Sequence, residues 1–477
     1  MNDRNKRLMN KQNGLNLLEG NLVKNIIKLG YPMALASLAQ TLYDLADTYW
    51  LGRMGKIALS APIISFHIVF FLIAIALGFS VSGTSLVAQY IGAGDKEKAF
   101  RSTGNLLLYL VVISILVSAV GLIFAAPMLR LLNTQPEAFD SALSYFVIMI
   151  AGMPLAFPMF VYQSAMNGYG DTVSPLKITL VTAALNLVLD PVLIFGWLGF
   201  PAMGVKGAAL TTVLTRALAS AFGLYLFFSG KKGIKLKLSH LKPDPGITKL
   251  ILKIGIPAAV GASGASLGFI ILMGIVNLFG TAVVSAYGIV TRVIHFFMLP
   301  AMGISAAVTA IVGQNLGAGN TQRAQQTVTK GMLLMLLIII PPCILTFFFG
   351  KEVTMFFIPD APVVHYIGRI MFYINPPSLI SFGMATVLQG AFQGSGHTVP
   401  VMITNITRVW LFRIPFVYLI SMVLLNGPGD IDASVGIWWG MVISNFLSYV
   451  ILQIWFNKGT WKKARIKKVP IISEVEG

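Results

Sequence analysis

Apolar residues run along this chain in blocks too long for strands or ordinary core helices. Twelve blocks reach the roughly 20 residues that a helix needs to cross a bilayer. They cover 24–51, 57–90, 98–128, 138–166, 173–196, 203–229, 247–279, 282–315, 324–349, 362–392, 399–426 and 434–457. Several exceed the minimum, which predicts tilt or extension beyond the lipid. The polar breaks are built from turn formers: Gly52-Arg53-Met54-Gly55, Gly92-Ala93-Gly94-Asp95, Asn133-Thr134-Gln135-Pro136, Gly168-Tyr169-Gly170-Asp171 and Asn426-Gly427-Pro428-Gly429.

The basic residues orient these blocks. One side collects Arg4, Lys6, Arg7 and Lys11, the loop with Lys96, Lys98 and Arg101, the segment Lys231 to Lys253, and the tail from Lys458 to Lys468. The other side has few, among them Arg53, Lys56, Arg130, Lys206 and Lys351. Lys and Arg accumulate in cytoplasmic loops, so both termini are expected inside a multi-pass protein of the cell (inner) membrane. The segment 1–20 is polar, without the apolar core of a cleavable signal, and reads as a cytoplasmic tail. The remaining division is a first lobe over 21–230, a cytoplasmic basic linker over 231–246, a second lobe over 247–457 and a cytoplasmic tail over 458–477.

The two lobes are copies of one another. At an offset of 225 positions, Lys28, Gly30 and Pro32 fall on Lys253, Gly255 and Pro257. Without a gap, Gly78, Ser80 and Thr84 fall on Gly303, Ser305 and Thr309, and Gln89, Gly92 and Gly94 on Gln314, Gly317 and Gly319. An even number of spans per copy makes both copies enter from the same side. The fold class is therefore an all-α membrane protein: twelve transmembrane helices in two six-helix lobes, related by a pseudo-two-fold axis along the membrane normal. Duplicated bundles of this kind place a substrate path between the repeats.

Composition agrees, with 56% hydrophobic and 11% charged residues against about 25% charged in soluble proteins. The net charge of +18 follows from topology, so no nucleic-acid partner is expected. The single cysteine, Cys343, allows neither an internal disulfide nor a Cys-His metal cluster.

Carboxylates inside a membrane are costly and mark function by default. Of 17 acidic residues, three fall beyond the first turn of predicted spans: Asp44 and Asp47 in the first, and Asp190 in the fifth. The second lobe has none, since Glu352, Asp360, Asp430 and Asp432 belong to predicted outer loops. Helical spacing pairs Tyr43 with Asp47, Asn186 with Asp190, and Ala208 with Thr212 on shared faces. Two carboxylates, an amide and a hydroxyl suit a small hard cation or a shared proton. Asp47, Asn186, Asp190 and Thr212 are thus the candidate cation-coupling set and a candidate Na+ site. Interhelical hydrogen bonding is the alternative for Asn186 and Thr212. Asp44 is turned about 60° from Asp47 and would flank the cavity or snorkel. His67 and His295 are weaker candidates that would hydrogen-bond neighbouring helices. Arg216, Arg292, Arg369, Arg408 and Arg413 are expected to snorkel or bond carbonyls.

The chain resembles the multidrug and toxic compound extrusion (MATE) family over about residues 20–460. The resemblance rests on Gln40 to Asp47 with Gly52, on Val87 to Asp95 with its second copy Val312 to Asn320, and on Gln163 to Asp171. Asn186 to Pro191, Gly204 to Ala209 and Gln389 to Gly396 add to it. It implies export of bulky, often cationic small molecules by antiport with H+ or Na+, with no cofactor. Its DinF-like members carry acids that map onto Asp47 and Asp190 and an amide that maps onto Asn186. It places Tyr43, Tyr145 and Thr212 among the polar residues of the first lobe's cavity, and Pro32 at a bending position. Gln163 joins the cavity candidates through its motif. The NorM-like branch has a glutamate in the seventh helix and an aspartate in the tenth, and neither is here. The expected working unit is a monomer in contact with membrane lipids. The alternative within the superfamily is a lipid or polysaccharide-precursor flippase, which would need a basic cavity. An enzyme is not expected, because no nucleophile–base pair or metal cluster is apparent.

Overall fold

The structure, a computed structural model, describes residues 15–131 and 134–466. Most of the N-terminal tail, Asn133 of one predicted turn and the end of the C-terminal tail lie outside these residues, as do the side chains of Lys56 and His67. Every predicted span is helical. The first lobe comprises α1 (Leu22–Met54), α2 (Lys56–Gly92), α3 (Lys96–Ile123), α4 (Pro136–Ala151 with Met153–Tyr169), α5 (Val173–Phe195) and α6 (Val205–Ser229). The second comprises α7 (Pro245–Leu278), α8 (Thr281–Gly317), α9 (Thr321–Phe357), α10 (Pro362–Ile374 with Pro376–Gly394), α11 (Thr398–Leu424) and α12 (Val435–Asn457). Nine of these helices and both two-part helices are long and apolar enough to cross a membrane. α1, which carries Lys24, Lys28, Asp44, Asp47 and Arg53, is the twelfth span.

Local chemistry sets the boundaries. The Asn21 side chain accepts from the Lys24 N–H at 3.2 Å and caps α1. Gly55, at φ 114°, turns the chain from α1 into α2 in a conformation open to glycine. Two predicted spans prove to be bent, by 51° at Gly152 in α4 and by 50° at Asn375 in α10. These breaks occupy matching places in the repeat, and each precedes prolines, which begin a helix but cannot continue one. The predicted third span stops at Ile123, and a separate short helix, Ala125–Leu131, follows. α9 runs past its predicted end at 349, with a kink at Phe349. Asp140, an acid inside the predicted fourth span, is exposed near its start.

The halves meet at the ends that carry the termini, and they meet symmetrically. Gly78 of α2 lies against Ala259 of α7, and its repeat mate Gly303 lies against Gly30 and Ala34 of α1. One end further on, Gly92 lies on the backbone of Gln314, and Gly317 on the backbone of Gln89. The glutamines complete the exchange. Gln89 Nε2 donates to the Gly394 carbonyl at 2.9 Å, and Gln314 Nε2 donates to the Gly168 carbonyl at 2.9 Å. Gln89 Oε1 accepts from the Arg465 N–H at 2.9 Å, while Asn315 Nδ2 donates to the Leu17 carbonyl at 3.3 Å. The segments flanking the bundle therefore strap the same seam.

Asn105 of α3 makes three of the hydrogen bonds that hold the linker. Asn105 Nδ2 donates to the carbonyls of His240 and Lys242 at 3.0 Å each, and its Oδ1 accepts from the Asp244 N–H at 2.8 Å. His240 is buried over Gly104. Asn105→Ala leaves those backbone groups without partners, at about 1–3 kcal/mol for each that stays dry. The expected result is a lower thermal midpoint and faster proteolysis within 231–246, with transport retained once the protein is folded. Unchanged proteolysis would show that the linker is held by other contacts.

Candidate cation-coupling site

α1, α5 and α6 bring the site together inside the first lobe. Each helix places its polar residues one turn apart, so a single packing contact gathers them. Thr212 Oγ1 donates to Asp47 Oδ2 at 3.3 Å, tying α6 to α1. Asn186 Nδ2 donates to Asp190 Oδ1 at 3.4 Å along α5. The Asp47 and Asp190 carboxyls lie within hydrogen-bonding reach of one another. Asn186 and Asp190 are fully buried and Thr212 nearly so.

Four oxygens of this cluster are buried with no hydrogen-bond partner: Tyr43 OH, Asp47 Oδ1, Asn186 Oδ1 and Asp190 Oδ2. An orphaned buried acceptor costs free energy, and four together call for a proton, a cation or water. The donor set is all oxygen, which matches hard cations. Among the described residues no group of three or more His, Cys, Asp or Glu could hold a metal ion. A cation here would rest on two carboxylates with amide and hydroxyl oxygens.

Tyr145 of α4, just before its bend, is buried within electrostatic range of Asp47, Asp44 and Asp190. Two candidates stand apart. Asp44 is exposed, and its Oδ1 accepts from Gln40 Nε2 at 3.0 Å. Gln163 is half-buried in the second part of α4 and has no hydrogen bond to the cluster among the described residues. Pro32 is buried well inside α1, beyond its first turn and two residues from the Gly30 contact with α8. His295 is exposed.

The structure adds Arg216 to the surroundings of this cluster. It is half-buried, and it stands within electrostatic range of Tyr43, Asp44, Asp47 and Tyr145. The signal was present in the sequence, because Arg216 follows Thr212 by four. Thr211 was also missed; it is fully buried near Asp190, and its hydroxyl donates to the Gly207 carbonyl at 3.0 Å.

With a duplicated bundle and an oxygen-lined centre in one lobe, kinship can be judged on more than hydropathy. The MatE family model matches residues 32–192 and 257–419. The chain belongs to this family. The two matched stretches begin 225 positions apart, the same offset as the repeat. Probable multidrug resistance protein YoeA of Bacillus subtilis (strain 168) is 26% identical over 443 residues, covering 92% of this chain and 94% of that protein. Probable multidrug resistance protein NorM of Thermotoga maritima is 27% identical over 443 residues, covering 93% and 94%. A crystal structure of MATE in complex with MaL6 superposes with a TM-score of 0.85 at 25% identity, covering 94% of this chain and 98% of that one. The MATE resemblance and the twelve-helix, two-lobe fold expected from the sequence are borne out.

Proposed function

We propose that this MATE protein exports organic, often cationic compounds by antiport with H+ or Na+, and that Asp47 and Asp190 of the first lobe carry the coupling. The observation that supports this most is the interacting pair of carboxyls, each with one buried unpartnered oxygen, beside the unpartnered oxygens of Tyr43 and Asn186. Two carboxylates so placed hold a shared proton or a cation between them. The acids in α1 and α5, with none in α7 or α10, favour the DinF-like branch. The basic face is cytoplasmic, the working unit is a monomer in lipid, and the lobes divide at 21–230 and 247–457 with 231–246 between them.

On this reading the seam described above is the closed cytoplasmic gate, and the substrate path between the lobes opens on the other side. From outside, H+ or Na+ reaches Asp47 and Asp190. Satisfying their oxygens changes the hydration of α1, and Pro32 is where α1 yields. The lobes rock, the ion leaves inward and the organic compound loads. An ion drives this only through its different affinity for the two conformations. One net charge moving down 100 mV supplies about 2.3 kcal/mol, enough for about fifty-fold concentration of a compound without net charge; a monovalent organic cation exchanged for one ion draws on the ion's concentration gradient instead.

Transport in proteoliposomes with separately imposed pH and Na+ gradients tests this. Uphill dye movement driven by one gradient and lost when it collapses is the expected result. Movement indifferent to both would overturn antiport. Arg216 adds a finer expectation, because its guanidinium repels a cation at the same oxygens. Arg216→Gln should raise the apparent affinity for the coupling ion by about tenfold, from a Coulomb term of order 1–2 kcal/mol. The ion dependence of dye export reads this directly, and a weaker affinity in the variant would show that Arg216 orders the site instead.

A further inference from the structure

The second lobe holds charge of the opposite sign. α11 is the repeat mate of α5, and its arginines do not snorkel as expected. It winds as a π-helix over Thr407–Arg413, which brings two residues five apart onto one face. Those residues are Arg408, 8% exposed, and Arg413, 2% exposed. Arg413 donates to Ser444 Oγ at 3.1 Å and to Asn445 Oδ1 at 2.7 Å, and Arg408 donates to the same Asn445 oxygen at 3.4 Å. The Phe269 ring lies within 5.9 Å of Arg408 and 5.4 Å of Arg413.

Among the described residues no carboxylate pairs with these two charges. Ion pairs among the described residues join Lys98 to Asp95, and Arg101 and His240 to Glu97. The described residues offer three hydrogen bonds to two guanidiniums that together carry ten N–H donors. Arg408 Nε is buried without a partner. Asn445 Nδ2 donates to Ser378 Oγ at 2.7 Å. One turn before Ser378, at the break in α10, Asn375 is 1% exposed with both amide atoms unpartnered. Buried arginines held only for packing would be replaced at lower cost by apolar residues. A broken helix, a π-helix and unmet donors in one lobe are instead the parts of an anion site.

We propose that Arg408 and Arg413, with Asn375, bind an oxyanion group carried by the transported compound. Resting on the efflux reading above, this makes the preferred substrates amphoteric: an anionic group is held by the second lobe and a cationic group faces the acids of the first. Planar guanidiniums suit a carboxylate, sulfonate or phosphate group through paired hydrogen bonds.

The test uses the full chain in nanodiscs and three probes: a zwitterionic fluoroquinolone bearing one carboxylate and one amine, its methyl ester, and ethidium. Wild type should bind the acid about tenfold more tightly than the ester, the scale of one charge-assisted pair. Arg408→Met and Arg413→Met should each erase that preference and leave ethidium binding within about twofold. Arg413→Lys should restore part of it. Equal affinity of wild type for acid and ester would overturn the proposal, and that comparison needs no variant that might misfold. Two further arms separate the sources of an oxyanion. Saturation of the site by inorganic phosphate, or by phosphatidylglycerol in the nanodisc, with no acid–ester difference would assign the arginines to a free ion or a lipid headgroup and overturn a substrate role. Binding is read without a gradient, so failed transport of all three probes would count against efflux alone.

Discussion

Asp47→Asn and Asp190→Asn each abolish gradient-driven export, while the purified variants keep the elution profile and thermal midpoint of the wild type. Neither substitution changes side-chain volume much, and each removes a costly charge from within the membrane, so folding has little to lose. What disappears is the means of holding a cation. An amide binds no proton at physiological pH and offers Na+ one neutral oxygen in place of a carboxylate. At Asp190 the amide would also set donors beside the Asn186 amide, which now donates to Oδ1 at 3.4 Å. The two carboxyls act as one unit, so the double variant should be no worse than either single one, the non-additivity expected of neighbours. The repeat supplies the control. Position 47 corresponds to Leu272, fully buried in an apolar cluster of the second lobe with no oxygen to offer. Polar-to-apolar changes in that lobe should alter substrate affinity and leave ion dependence in place. Wild-type coupling in either aspartate variant would move the coupling site elsewhere.

The membrane explains which features were legible in the sequence. A span needs an unbroken apolar run, so α1 to α12 could be read off with ends mostly correct to a few residues. Turn glycines and prolines marked the breaks. Internal breaks were not legible. Gly152 and Asn375 sit within apolar blocks whose hydropathy continues across them, and only backbone geometry reveals the bends near 50°. The same holds for α11, where a spacing of five between Arg408 and Arg413 fits no α-helical face and becomes one through the π-helix. Among site residues, the rule of four found Asp47, Asn186, Asp190 and Thr212, and all four are joined in hydrogen-bonded pairs, Asn186 with Asp190 along α5 and Thr212 with Asp47 across helices. The same rule from Thr212 reaches Arg216, which the habit of reading membrane arginines as snorkelled obscured. Gln163 entered through its motif, and motif membership does not specify depth in the bundle. The linker is held in part by Asn105, a polar residue with backbone partners more than a hundred positions away, and no local pattern encodes such a contact.

Gly92→Ala and Gly317→Ala should each shift the protein toward a conformation open on the terminus-bearing face, and together they should stop transport. Neither glycine has a positive φ, so both are present for closeness rather than backbone freedom. A Cβ at Gly92 would overlap the Gln314 carbonyl, and one at Gly317 would overlap the Gln89 carbonyl. Backbone cannot give way as a flexible side chain does. Opening the seam costs the Gln89 and Gln314 hydrogen bonds to Gly394 and Gly168. Forcing extra volume into a packed contact costs about 1–3 kcal/mol. At about 3 kcal/mol a preference of about a hundredfold for the closed seam becomes near balance, and two such changes reverse it. Spin labels at Lys96→Cys and Gln325→Cys, both exposed positions flanking the seam, read the opening as a longer distance in a Cys343→Ser background. The distance should lengthen in each variant and most in the double variant, and dye export should fall in the same order. An unchanged distance distribution in the double variant would show that the seam relaxes around the added methyl groups and is not what holds this face shut.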